Sequence, residues 1–259
     1  IALSKEIYEK TGYKTNLCYN QNEQYAEYYL RADDIVMYES GKMGGDSADP
    51  YIEFFKLYED GIKDGWMVSP AVFAERTIGS VEQDPLIYGS SPETMSWCSF
   101  SYSNQFSAIK NAAPEGVEIG ITTWPSKDPV KSDYLKPSQF FAISKDSKNP
   151  AEAAKILNFL TNSVECNNIL LGERGIPLSS EVAEAISPNL DESSQEIIRF
   201  IYDVVDPSSS QVNPPLPDGS SEVNDLLNKL EEQVCYGEMT AEEAGKQLFE
   251  QGNSIMGAK

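Results

Sequence analysis

Residues 136–177 read KPSQFFAISKDSKNPAEAAKILNFLTNSVECNNILLGERGIP, and this stretch decides the fold. Residues 140–143 form a short apolar run of strand-type side chains, followed by a polar loop. Asn149-Pro150-Ala151-Glu152 then reads as a helix start: Asn149 caps, Pro150 takes the first helical position, and Glu152 completes a capping box. Ala153, Ile156, Leu157 and Leu160 fall on one face of that helix. Asn162-Ser163-Val164-Glu165 repeats the box, and Gly172 offers a stop for a second, shorter helix.

Strand, capped helix, capped helix and then Arg-Gly-Ile-Pro form a composite signal. The arrangement resembles the return segment of extracellular solute-binding proteins of ABC importers, the family 1 group that includes maltose-binding protein and its carbohydrate-binding relatives. The resemblance implies an α/β, periplasmic-binding-protein-like type II fold with two lobes, the first incomplete. It places residues 1–135 and 178–259 in the second, C-terminal lobe and 136–177 in a segment returning to the first. The chain opens at Ile1 without Met, already inside a helical pattern, as expected of a piece of a longer protein.

Working outward, Leu3, Ile7 and Tyr8 keep helical spacing up to Gly12, and 17–19 is a candidate strand. A loop over 19–25 follows. Asp49-Pro50 opens a helix with Tyr51, Phe54, Phe55, Tyr58 and Ile62 on one face, stopping at Gly65. Residues 94–97 read as a buried strand. Phe106, Ile109 and Ala113 lie on a helix face, and Val117, Ile119 and Ile121 alternate as another strand. Strand–helix–strand spacing argues for parallel pairing and an α/β sandwich. Beyond Pro177 the chain reads helical, with stripes at Ile197–Val205 and Val223–Val234 and a capping box at Thr240-Ala241-Glu242-Glu243.

Composition removes several chemistries. With 41 acidic against 20 basic side chains the net charge is −21, which opposes binding to nucleic acid and repels anionic lipid and ligands. The four cysteines stand far apart without a C-x-x-C pair, so metal and redox roles are not indicated, while thiol and disulfide states both remain open. The chain has no histidine, which eliminates Ser–His and Cys–His nucleophile pairs and the common zinc sites. No phosphate-binding glycine loop is present, and Ser107-Ala108-Ile109-Lys110 lacks the partner motifs of serine β-lactamases. No cofactor, metal or catalytic residue is expected.

What remains is aromatic and polar, the chemistry that recognises a sugar's apolar C–H faces and hydroxyl rim. By the resemblance, Glu23 and Tyr25 are the carboxylate and aromatic of the second-lobe ligand loop; a solvated capping loop is the plain alternative. Trp97 and Trp124 lie at or just past the carboxyl ends of the two clearest strands, where open α/β sheets bind ligands, and either is equally a core tryptophan. Trp66 reads as closing a helix end. Arg174 reaches the ligand or simply pairs with Glu173. The resemblance implies capture of a neutral sugar or oligosaccharide outside the cell, by a cell-surface lipoprotein or periplasmic protein, for delivery to an ABC transporter permease. Membrane attachment would come only through a lipid anchor outside this chain. A glycan-active hydrolase domain and an acidic protein-interaction domain are the other readings.

Overall fold

The computed structural model describes residues 1–257 except 18–20, 75, 137–138 and 173–174. Helix α1 (Ala2–Thr11) closes on Gly12, whose φ of 77° only glycine adopts cheaply, and whose N–H returns to the Tyr8 carbonyl. Strand β1 (Lys14–Thr15) follows, then helix α2 (Asn22–Arg31) and an antiparallel hairpin of β2 (Tyr38–Glu39) and β3 (Lys42–Met43). Helix α3 (Asp49–Lys63) carries Pro50 in its first turn, as the sequence implies, and delivers the chain to an extended segment at 66–68.

That segment, β1 and β4 (Ser96–Cys98) lie side by side. β1 pairs in parallel with β4 and is bridged in parallel to Met67. The Thr15 N–H donates to the Trp66 carbonyl at 2.8 Å, and the Val68 N–H donates to Thr15 at 3.0 Å. The parallel partner of β4 is β1, not the run at 117–121 that the strand–helix–strand spacing pairs with it. Trp66 is 2 % exposed and packs beside Gly61, closing the end of α3 against the core.

Helix α4 (Phe106–Ala112) and a single turn, α5 (Pro129–Ser132), precede α6 (Pro150–Asn162) and α7 (Val164–Leu170). Then come α8 (Ser180–Ile186) and α9 (Glu192–Arg199), which continues through a π-helical stretch at Phe200–Val205 into α10 (Asp206–Ser208). Helices α11 (Ser220–Cys235) and α12 (Ala241–Gly257) end the fold. The main core joins Tyr25 and Tyr28 of α2, the aromatic stripe of α3, Val223, Leu227 and Leu230 of α11, and Ala244 and Leu248 of α12. A smaller cluster of Val182, Ile186 and Leu190 holds α8.

Several local readings are corrected. Residues 140–143 form no strand: Phe140 is 82 % exposed and Phe141 52 %, and a strand without a neighbouring ladder leaves its backbone groups unpaired. Residues 117–121 likewise form no strand, with Val117 exposed. The strand read at 94–97 sits at Ser96–Cys98, so Trp97 is its middle residue rather than its end. Asn149 makes no side-chain cap. The cap of α7 is Ser163 rather than Asn162, accepting from the Cys166 N–H at 3.2 Å. The box at Thr240 forms reciprocally: the Thr240 N–H donates to Glu243 Oε2 at 3.0 Å, and the Glu243 N–H donates to Thr240 Oγ1 at 3.2 Å. Of the strand read at 17–19, residues 18 and 19 lie outside the described residues.

Candidate functional site

The segment read as a ligand loop is helical from Asn22, so Glu23 and Tyr25 project from the first turn of α2. Glu23, Glu27 and Arg31 are spaced four residues apart and share one face of that helix. Tyr38 of the hairpin donates its hydroxyl to Glu23 Oε1 at 2.8 Å. Burial pushes the Glu27 carboxyl up to about 7, and the nearby charge of Glu23 adds to the rise; Lys136 and Arg31 work against it.

Tyrosines and cations close around these carboxylates. Lys136 Nζ donates to the Tyr102 hydroxyl at 3.2 Å and lies 5.2 Å from its ring centroid. The Arg31 guanidinium stands 4.6 Å over the Tyr134 ring and is itself 6 % exposed. It is pinned from the other side, donating to the carbonyls of Ser132 at 3.1 Å and Gln211 at 3.0 Å and to Asn213 Oδ1. Burial raises the Tyr134 phenol, with Glu27 the next cause. One face of α2 therefore gathers two carboxylates, two cations and the phenols of Tyr38, Tyr102 and Tyr134.

Beneath that face lies an aromatic bed. Tyr25, 3 % exposed, meets Trp124 at 5.7 Å, Phe100 at 5.1 Å and Tyr28 at 6.3 Å between ring centroids. Trp124 is half-buried and also packs against Tyr28 at 5.5 Å. The Tyr28 hydroxyl sits 2.7 Å from the Trp124 carbonyl and 2.8 Å from Asp133 Oδ1, which fixes the 124–134 segment onto α2.

Glu23, Tyr25 and Trp124 thus meet in one region. Trp97 stands elsewhere, half-buried on β4, with its Nε1–H donating to Thr15 Oγ1 at 2.9 Å. Arg174 lies outside the described residues. Sequence reading passed over Glu27, Arg31, Tyr38, Tyr102, Tyr134 and Lys136. The four-residue spacing of the first two from Glu23 was a usable signal, whereas the others arrive from distant segments.

Chemically, the face accepts hydrogen bonds through carboxylates and donates them through phenols and ammonium. Away from this face, burial pushes the Cys98 thiol up to about 12, so it is protonated and a poor nucleophile near neutrality. Among the described residues no group of three or more metal-ligating side chains comes together, and no helix is long and apolar enough to cross a membrane.

No protein-family model matches the chain. Among solved structures it is similar to an extracellular solute-binding protein family 1 member from Alicyclobacillus acidocaldarius, with a TM-score of 0.84 and 19 % identity over 99 % of this chain and 63 % of that one. It is also similar to a de novo designed esterase, with a TM-score of 0.74 and 20 % identity over 95 % and 61 % of the two chains. A periplasmic oligogalacturonide-binding protein from Yersinia enterocolitica gives a TM-score of 0.73 and 20 % identity, covering 94 % and 61 %. In complex with saturated digalacturonic acid that protein gives 0.70. The chain therefore spans about three fifths of the length of the proteins it resembles. At such identities the likeness bears on architecture, and the architecture it shows is the α/β fold of solute-binding proteins.

Proposed function

We propose that this chain is the larger part of an extracellular binding protein that captures a sugar or oligosaccharide for an ABC transporter. Residues 1–135 and 178–259 act as its second lobe, and 136–177 returns to the first. The observation that carries the reading is the α2 face, where Glu23, Glu27 and three phenols stand over the aromatic bed of Tyr25 and Trp124. Carboxylates that accept from hydroxyls, next to flat apolar rings, match the two-sided chemistry of a sugar. The fold likeness to solute-binding proteins supports the same conclusion.

The ligand we favour is neutral. A net charge of −21 opposes an anion, even though Arg31 and Lys136 balance the two carboxylates of the face and one structural neighbour is named for an acidic sugar. Trp97 on β4 and Arg174 in the returning segment remain candidate contacts, and anchoring as a cell-surface lipoprotein accompanies the importer role. An esterase reading has little chemistry behind it here, because a chain without histidine lacks the usual base for a serine or cysteine nucleophile.

The deciding experiment is titration of the full-length protein with a panel of labelled neutral oligosaccharides and digalacturonate. Saturable binding without turnover is expected. Turnover of a bound glycan would replace the reading with a hydrolase. Binding only to protein partners, lost as salt rises, would replace it with an acidic docking surface.

A further inference from the structure

Asn16 follows β1 directly and is 2 % exposed, yet its Oδ1 has no protein partner among the described residues. Leaving such an acceptor bare costs on the order of 1–3 kcal/mol. Asn16 also lines a small cavity, together with Thr77, Ser80, Gln83 and Asp84, in which about 10 Å³ is open to the centre of a water molecule. That is the space roughly one water needs.

The cavity lies under a strap formed by residues 76–94. Arg76 gathers this strap from within, donating to the carbonyls of Gln83 at 3.2 Å, Tyr88 at 2.9 Å and Thr94 at 3.0 Å. The strap is tied to the β4 side, because the Ser96 N–H donates to the Pro85 carbonyl at 2.8 Å and Ser99 Oγ donates to Asp84 Oδ2 at 2.6 Å. Asp84 Oδ1 accepts from the Leu86 N–H at 2.9 Å, and each carboxylate oxygen has further accepting capacity. The lining therefore carries two acceptors, Asn16 Oδ1 and the Asp84 carboxylate, beside Thr77, Ser80 and Gln83, whose side chains both donate and accept. A water molecule donates to both acceptors at once.

We infer that a single buried water molecule occupies this cavity, donating one hydrogen to Asn16 Oδ1 and the other to the Asp84 carboxylate, and so fastens the strap to the carboxyl end of β1. The size admits nothing larger. A cation is disfavoured because Arg76 already offsets the charge of Asp84, and because Asp84 is the only carboxylate among the described lining residues. The inference is independent of the sugar-capture reading.

An atomic-resolution crystal structure of the full-length protein tests it without any variant. The expected result is one ordered peak within hydrogen-bond distance of both Asn16 Oδ1 and Asp84, unchanged by a chelator. An empty cavity overturns the inference. So does a peak with oxygen contacts of roughly 2.3–2.6 Å that disappears after chelation, which marks a calcium ion. As a second reading, Asn16→Leu removes the acceptor and fills the space. Amide exchange in 76–88 should then quicken about tenfold relative to α12, whereas unchanged exchange in a folded variant counts against a fastening role.

Discussion

Trp124 and Trp97 are set apart by what each ring touches. Trp124 packs edge-on against Tyr25 and Tyr28, so Trp124→Ala opens a hole in the aromatic bed and should lower stability by about 3 kcal/mol in a denaturant melt. Trp97 makes one side-chain hydrogen bond to Thr15 and belongs to no ring cluster among the described residues. Trp97→Ala should therefore melt closer to wild type. If Trp97 walls the ligand, that variant binds oligosaccharide about tenfold more weakly; normal binding by a folded Trp97→Ala protein removes it from the site. Glu27 supplies a test of ligand charge. Its carboxyl is held up to about 7, so it gains a proton as pH falls through neutrality. Any binding of digalacturonate should then strengthen between pH 8 and pH 6, as one negative charge leaves the face. Glu27→Gln should fix the low-pH affinity at pH 8, and a profile that keeps its slope in this variant assigns the titration to another group.

Helix α11 carries a carboxyl in an unusual setting. Glu231 is 3 % exposed and receives Asn22 Nδ2–H from α2 at 2.9 Å and the Cys235 thiol from its own helix at 3.3 Å, while Glu232 adds like charge. Burial lifts its pKa from 4.5 to about 7. The folded state therefore holds a proton that the unfolded chain releases at lower pH. The stabilisation is fully present below about pH 4.5, declines as pH rises, and is lost above about 7, a swing on the order of 3 kcal/mol. Glu231→Gln should flatten that part of the pH–stability curve measured by urea melts. The crossing of α12 on α3 yields a different kind of outcome. A Cβ at Gly245 would lie 2.5 Å from the Ile52 backbone nitrogen, so Gly245→Ala should destabilise by about 1–3 kcal/mol despite alanine's helix advantage of roughly 1 kcal/mol. These long helices, with their stripes, caps and stops, were legible because their signals are local. The parallel pairing of β1 and β4 was not legible, because β1 is two residues long and carries no apolar alternation of its own. The runs at 117–121 and 140–143 misled because apolar alternation marks a strand only where a partner supplies the ladder. At the site, Glu23 and Tyr25 came from resemblance, whereas Tyr38, Tyr102 and Lys136 join them through tertiary contacts that no local pattern encodes.

At the scale of the whole molecule, charge and apolar surface pull against each other. A net charge of −21 repels itself within a compact fold, so the melting temperature should rise between low salt and about 0.2 M sodium chloride as screening sets in; a flat response would mean that charge is already balanced locally. Phe140, Ile156 and Phe159 are exposed on the 140–143 segment and α6, and no residue of α6 is buried. Ile156→Asp should therefore leave the melting temperature of this chain nearly unchanged while reducing concentration-dependent association in sedimentation. The packing of α12 against α3 also governs when the core can exist at all. The Ala241 N–H donates to Glu59 Oε1 across 182 residues of chain, and Leu248 lies in the same apolar cluster as Phe54. A chain leaving the ribosome exposes the α3 aromatics long before their covering helix has been synthesised. The aromatic stripe of α3 therefore spends the whole of that interval without its lid, and the core closes only when α12 arrives.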